Sequence, residues 1–177
     1  MSLAIVMTLV AAVYRLLPHP YNAAPLGAIA FMGGMCLGRR YALWVPLVAL
    51  ALTDLVLNAR MGYPILYWPR AFDYGAFVLI GAAGLWARSQ RQWAKLGLAL
   101  ATPFVFFLIS NFGVWLFGLS LGNEPYPKTL AGLTACYAAG LPFLRGTLIG
   151  DWGFMLAFVG ATALATHRQT MSVPATA

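Results

Sequence analysis

Residues 15–30 read RLLPHPYNAAPLGAIA: an arginine, a histidine between two prolines and an asparagine interrupt an otherwise apolar chain where a first hydrophobic helix must end. Pro18 and Pro20 force the backbone out of helix around His19, because proline lacks an N–H and restricts the residue before it. The His19 imidazole and the Asn22 amide are thereby held at the mouth of a helical bundle, as a ligand-facing loop would hold them. A lone histidine is also a common capping residue, which is the plainer expectation for His19.

Outward from this break the chain is 62% hydrophobic and only 8% charged over 177 residues, with a mean hydropathy of +0.79. Soluble domains carry about 25% charged residues, so an integral membrane protein is expected. A spanning helix needs roughly 20 mainly apolar residues, and about six such runs fit the length. The runs are apolar on every face and rich in Gly and Ala, unlike the alternating strands of a transmembrane barrel. The expected fold is therefore all-α: one six-helix transmembrane domain over 1–177, with a helical core at 1–169 and a flexible tail at 170–177. The opening MSLAIVMTLVAAVY lacks the basic n-region and cleavage site of a secretory signal, and belongs to the first helix.

The helices are placed at about 2–17, 24–38, 41–57, 71–87, 96–119 and 142–166. Between the fifth and sixth lies SLGNEPYPKTLAGLTACYAAGLPF, whose first half is rich in turn formers and whose second half suits a short, partly embedded helix. The net charge of +7 comes from eleven Lys and Arg in short turns, not from a basic stripe with interleaved aromatics, so nucleic acid is not an expected partner. Arg39, Arg40, Arg88, Arg91, Lys95 and Arg168 fall on one side and Arg15, Arg60, Arg70, Lys128 and Arg145 on the other; because GRR and RSQRQWAK are plain charged turns while Arg15, Arg70 and Arg145 lie at helix ends among Pro, Asp and aromatics, both termini are expected in the cytoplasm of a bacterial inner membrane.

In that topology Asp54, Asp73, Glu124 and Asp151, all the acids of the chain, lie towards the outer side with Arg15, His19, Asn22, Arg60, Arg70, Asn111, Lys128 and Arg145. An ionised side chain within a span costs several kcal/mol unless it is paired or faces water, so Asp54 and Asp151 are the most informative residues. They form either ion pairs with Arg15, Arg70 or Arg145, or the floor of a pocket, or both. The aromatics of GYPILYWPRAFDY and EPYPKT, among them Tyr63, Tyr67, Trp68 and Tyr126, serve as interfacial anchors or, stiffened by Pro64, Pro69, Pro125 and Pro127, as lids over a cavity. Ala4, Thr8 and Ala12 make a small-residue stripe suited to a partner helix or to internal packing.

Catalytic machinery is missing. No HExxH, nucleophile elbow, P-loop or CxxC occurs, and His167 lies at the cytoplasmic end, so the chain is not expected to be an enzyme and needs no cofactor. Cys36 and Cys136 are expected as packed, reduced thiols, and no metal site is expected in the protein itself.

The layout resembles the substrate-binding S components of energy-coupling factor vitamin transporters. The likeness rests on the spaced small residues of helix 1, the R-x-x-P-x-x-x-N-x-x-P passage of Arg15, Pro18, Asn22 and Pro25, the Gly-rich helix 2, and helix 3 ending in Asp54 before an aromatic loop. The chain also looks like an uncharacterised family of small bacterial membrane proteins with NFGVW, YP.T..GL..CY and LLGD-like segments, here at 111–115, 126–137 and 148–151. The resemblance implies uptake of a vitamin or vitamin precursor bound from outside by the loops after helices 1, 3 and 5. The convergence of polar and aromatic residues on the outer side gives the expected ligand set: Arg15, His19, Asn22, Asp54, Tyr63, Tyr67, Trp68, Arg70, Asp73, Asn111, Tyr126 and Asp151. The resemblance further implies docking of Ala4, Thr8 and Ala12 on a transmembrane coupling subunit driven by ATPases, although Thr8 departs from an all-alanine stripe and some members look solitary. A cobalamin-type corrinoid is the first candidate ligand, with His19 as a possible ligand to its cobalt. A membrane enzyme and a structural or assembly subunit are the alternatives.

Overall fold

The breaks anticipated at the prolines separate six helices in the computed structural model, which describes residues 2–20, 22–62, 68–118 and 125–171. They are α1 (Ser2–Leu16), α2 (Leu26–Cys36), α3 (Trp44–Met61), α4 (Trp68–Ala87), α5 (Gln92–Phe117) and α6 (Leu130–Met171), with no strand among the described residues. α1 stops just short of Pro18, and α2 opens after Pro25, where a missing N–H costs nothing because that group has no helical partner anyway. Between them Asn22 takes a left-handed backbone with φ of 56°, which asparagine tolerates better than most side chains.

α2 is the central post. Gly27 to Gly34 are all buried, and the helix packs against each of the other five. Burial of a short helix leaves its terminal N–H and C=O groups in need of partners, and other helices supply them. At the N-terminus Asp151 of α6 accepts the Ala28 N–H through Oδ1 at 3.0 Å, placing a carboxylate at the positive end of the helix dipole. At the C-terminus Arg88, just past α4, donates from Nε to the Gly34 carbonyl at 2.8 Å and from Nη2 to the carbonyls of Gly34 and Leu37. α2 and α4 approach backbone to backbone: a Cβ on Gly34 would strike the Gly81 carbonyl, and one on Gly84 the Phe31 carbonyl. Small residues at such crossings permit close helix packing where side chains would hold the backbones apart.

Two boundaries differ instructively from expectation. The short embedded helix and helix 6 are one helix, 42 residues long, running through Pro142. Proline is favoured at a helix start, so Pro142 resembled one in sequence, but neighbouring groups can accommodate it in a helix interior. α3 extends to Met61 before Gly62 closes it with φ of 70°, so that Asn58 and Arg60 lie on the same helix as Asp54.

By length and composition, α3 and α5 are each long and apolar enough to cross a membrane. The exterior around the buried α2 is apolar: Val6, Leu9 and Val13 of α1, Leu52 of α3, Leu79 of α4, Leu108 of α5 and Leu156 of α6 are each more than half exposed. The small-residue stripe of α1 is turned the other way. Ala4 and Thr8 are buried and Ala12 is half-buried, with Ile29, Met32 and Gly33 of α2 and Phe154 and Phe158 of α6 around Ala4 and Thr8. Those small side chains let α1 settle on the core, which leaves Val6, Leu9, Val10 and Val13 as its outer face. Of the two free thiols, Cys136 is packed as expected, whereas Cys36, at the last position of α2, is exposed.

Candidate functional site

The ends of α1, α3 and α5 meet the starts of α2 and α4 and the first half of α6 at one end of the bundle, around a cavity with two lobes. The larger lobe, about 680 Å³, is lined by residues of the α1–α2 passage including Arg15, His19 and Asn22, by Asp54 and Arg60 of α3, and by Arg70, Asp73 and Tyr74 of α4. The second, about 500 Å³, lies between α4, α5 and α6 and is lined by Phe107, Asn111, Val114, Tyr126 and Cys136 among others. Asn22, Asp73, Phe106, Ser110 and Thr147 border both, and so form the waist between them.

The wall of the larger lobe carries an ion-pair cluster. Asp54 Oδ1 lies 2.5 Å from Arg15 Nη2, and its Oδ2 lies 3.2 Å from Arg70 Nη1. Tyr74 donates its hydroxyl to Oδ2 at 2.9 Å. Arg15 also donates to the Thr53 hydroxyl and the Leu50 carbonyl, and Arg70 to Asn58 Oδ1 at 3.2 Å. One carboxylate thus joins α1, α3 and α4, and the three charged side chains are only 10–15% exposed. Removing charges from water is costly, and here shared hydrogen bonds offset that cost.

His19 stands at the rim. Its ring stacks on Tyr14 with centroids 5.5 Å apart, and Nδ1 lies 2.8 Å from the Pro20 carbonyl. A carbonyl can only accept, so Nδ1 carries the proton, and in the neutral ring Nε2 keeps its lone pair. The chain before α6, near the second lobe, is tied to Trp115 at Pro127 and Lys128: Trp115 Nε1 donates to the Pro127 carbonyl at 3.0 Å, and Lys128 Nζ to the Trp115 carbonyl at 2.6 Å.

Of the residues singled out in the sequence, Arg15, His19, Asn22, Asp54, Arg70, Asp73, Asn111 and Tyr126 line this cavity. Asp151 does not: it is fully buried below the cavity and holds the N-terminus of α2. It was expected to bind a ligand because an isolated intramembrane carboxylate needs a partner, and the partner proves to be a helix end. Trp68 is on the exterior, 71% exposed and stacked on Phe117 at 5.7 Å. Tyr63, Tyr67 and Glu124 lie outside the described residues. The sequence did not distinguish Tyr74, Ser110 and Thr147 as lining residues, since a lone hydroxyl in an apolar helix carries no positional signal. Among the described residues no cluster of three or more His, Cys, Asp or Glu is placed to hold a metal.

The fold and site define an all-helical bundle with an apolar exterior and a polar, charged cavity at one end. The chain matches the model of a family of unknown function, DUF6580, over residues 1–175, and it belongs to that family. Comparisons with curated proteins and with solved structures gave no match.

Proposed function

We propose that this is a multi-pass membrane protein that binds a small solute, and that it serves as the substrate-binding subunit for uptake of a vitamin or vitamin precursor. The cavity carries the proposal: it gathers charged and amide side chains at one end of a bundle whose outer surface is apolar. Sites for small molecules are concave, mostly apolar and supplied with a few placed polar groups, in volumes of about 300–1,000 Å³. Both lobes fall in that range. Large exposed apolar surface suits lipid contact on the five helices that surround the buried α2, with the shorter α1 packed against its longer neighbours. In this arrangement the cavity opens on the outer side and both termini lie in the cytoplasm.

A cobalamin-type corrinoid remains the first candidate, since Nε2 of His19 is the ring nitrogen available to a cobalt and the two lobes give room for a macrocycle and its appendage. A coupling subunit, if one docks, would meet the outer face of α1 at Val6, Leu9, Val10 and Val13, because Ala4 and Thr8 are covered. The test is a thermal-shift and native mass spectrometry screen of the gently solubilised protein against corrinoids and other vitamins. Ligand at a hundredfold excess over Kd adds about 2.7 kcal/mol of stability. A corrinoid hit weakened by His19→Ala supports capture through cobalt, and silence across the whole panel refutes the solute-binding function.

A further inference from the structure

Among the described residues, the charges lining the larger lobe do not balance. Three arginines, Arg15, Arg60 and Arg70, face two carboxylates, Asp54 and Asp73. Asp54 is committed to Arg15 and Arg70. Asp73 stands at the waist beside Ser110 of α5. Arg60, in the last turn of α3, is outside this cluster: among the described residues its hydrogen bond is a long contact of 3.4 Å from Nη1 to the Leu16 carbonyl, and no carboxylate lies within ion-pair distance. It lines the cavity, is exposed, and has donors to spare. The second lobe has no basic residue in its described lining. Positive charge is therefore concentrated in one lobe and the acceptor carboxylate of Asp73 at the junction.

We infer that the solute is an anion whose carboxylate or phosphate docks on Arg60 in the larger lobe, with an N–H-bearing ring system extending past the waist into the second lobe. The inference rests on the solute-binding function proposed above and specifies its ligand. The guanidinium supplies planar, paired donors that match a carboxylate or phosphate edge. Asp73 accepts N–H groups of the ring at the waist, with the Asn22 amide beside it. Phe106, Phe107 and Tyr126 provide the apolar, flat-faced surroundings for the ring. An anionic group at Arg60 would also complete the charge balance of the described lining, which a neutral solute would leave one positive charge in excess.

The test uses matched probes on the full-length protein in neutral detergent: biotin against biotinamide, and pyridoxal phosphate against pyridoxal. Affinities are read by thermal shift and microcalorimetry. The expected result is that at least one anionic probe binds about tenfold or more tightly than its neutral partner, as losing a charge-assisted hydrogen bond requires. That preference should collapse in Arg60→Gln and be partly retained in Arg60→Lys. Neutral probes binding as tightly as anionic ones, or an anion preference untouched by Arg60→Gln, would overturn the inference while leaving solute binding in place. Competition for Arg60 by phosphatidylglycerol and by no soluble probe would assign the guanidinium to a lipid headgroup and equally overturn it. Absence of binding by every probe, corrinoids included, would overturn the proposed function itself. The comparison of acid with neutral partner is made on the unaltered protein, so it holds even if a variant folds poorly.

Discussion

Replacing Asp54 by asparagine should destabilise the bundle far more than loss of one surface ion pair. Asp54 receives Arg15 at 2.5 Å, Arg70 at 3.2 Å and the Tyr74 hydroxyl at 2.9 Å. Asparagine leaves one acceptor oxygen for three donors and turns an amide N–H₂ towards a guanidinium. The charged side chains concerned are 10–15% exposed, so the two arginines would be left with little water to compensate. Breaking a buried pair from one side costs about 3–5 kcal/mol. For a chain of this size each kcal/mol moves the thermal midpoint by roughly 2–4 °C, so Asp54→Asn should lower Tm by roughly 6–20 °C. The assay is thermal denaturation in detergent, run as a cycle with Arg15→Gln and the double variant. The double variant should lose less than the sum of the singles, by about 0.5–3 kcal/mol, because the second substitution removes a charge already stranded by the first. A loss below about 1 kcal/mol, additive with Arg15→Gln, is the behaviour of a solvated pair and would refute the cluster as the element joining α1, α3 and α4.

Four further outcomes are expected. Arg88→Lys should lower stability by about 1–3 kcal/mol, since a single ammonium cannot reach the carbonyls of Gly34 and Leu37 with the same fork; an unchanged Tm would show that α2 needs no C-terminal partner. Gly84→Val should force α4 off the Phe31 carbonyl and abolish a monodisperse peak in size-exclusion chromatography, whereas a normal profile would contradict the backbone-to-backbone crossing. Asn22→Gly should preserve stability while Asn22→Val loses about 1–2 kcal/mol, and equal melting of the two would contradict the left-handed backbone there. Thr8→Leu should overpack the α1–α2–α6 contact at a cost of about 1–3 kcal/mol, measured against Val10→Leu on the exposed face, which should stay within about 0.5 kcal/mol of the parent; the reverse order would mean that α1 faces the other way.

The polar passage of residues 15–25 was legible because proline acts locally. Pro18 and Pro20 end α1 wherever the helix is put, and so His19 and Asn22 had to stand at a bundle end. The gathering of Arg15, Asp54, Arg70 and Asp73 at that same end was legible too, since it follows from counting helices of alternating direction. The role of Asp151 was not legible. In sequence it is a carboxylate inside an apolar helix, indistinguishable from Asp54, and only its distance from the Ala28 N–H separates a helix cap from a cavity wall. The stripe of Ala4, Thr8 and Ala12 was equally ambiguous, because small residues ease the approach of any helix, whether from the same chain or another.

Composition and proline placement by themselves determined an all-helical, strongly apolar chain, its breaks, and the end of the bundle where charge collects. The tertiary structure alone determined which side chains meet: the double pairing of Asp54, the capping of α2 by Asp151 and Arg88, and the entry of Tyr74, Ser110 and Thr147 into the cavity wall. The reason is rotational. At 3.6 residues per turn, one position changes a side chain's direction by about 100°. α2 and α6 are apolar nearly all round, so nothing in their sequence marks the inward face. That face is set by contacts among helices distant in the chain, at the glycines where α2 and α4 touch and at the charges that hold their ends.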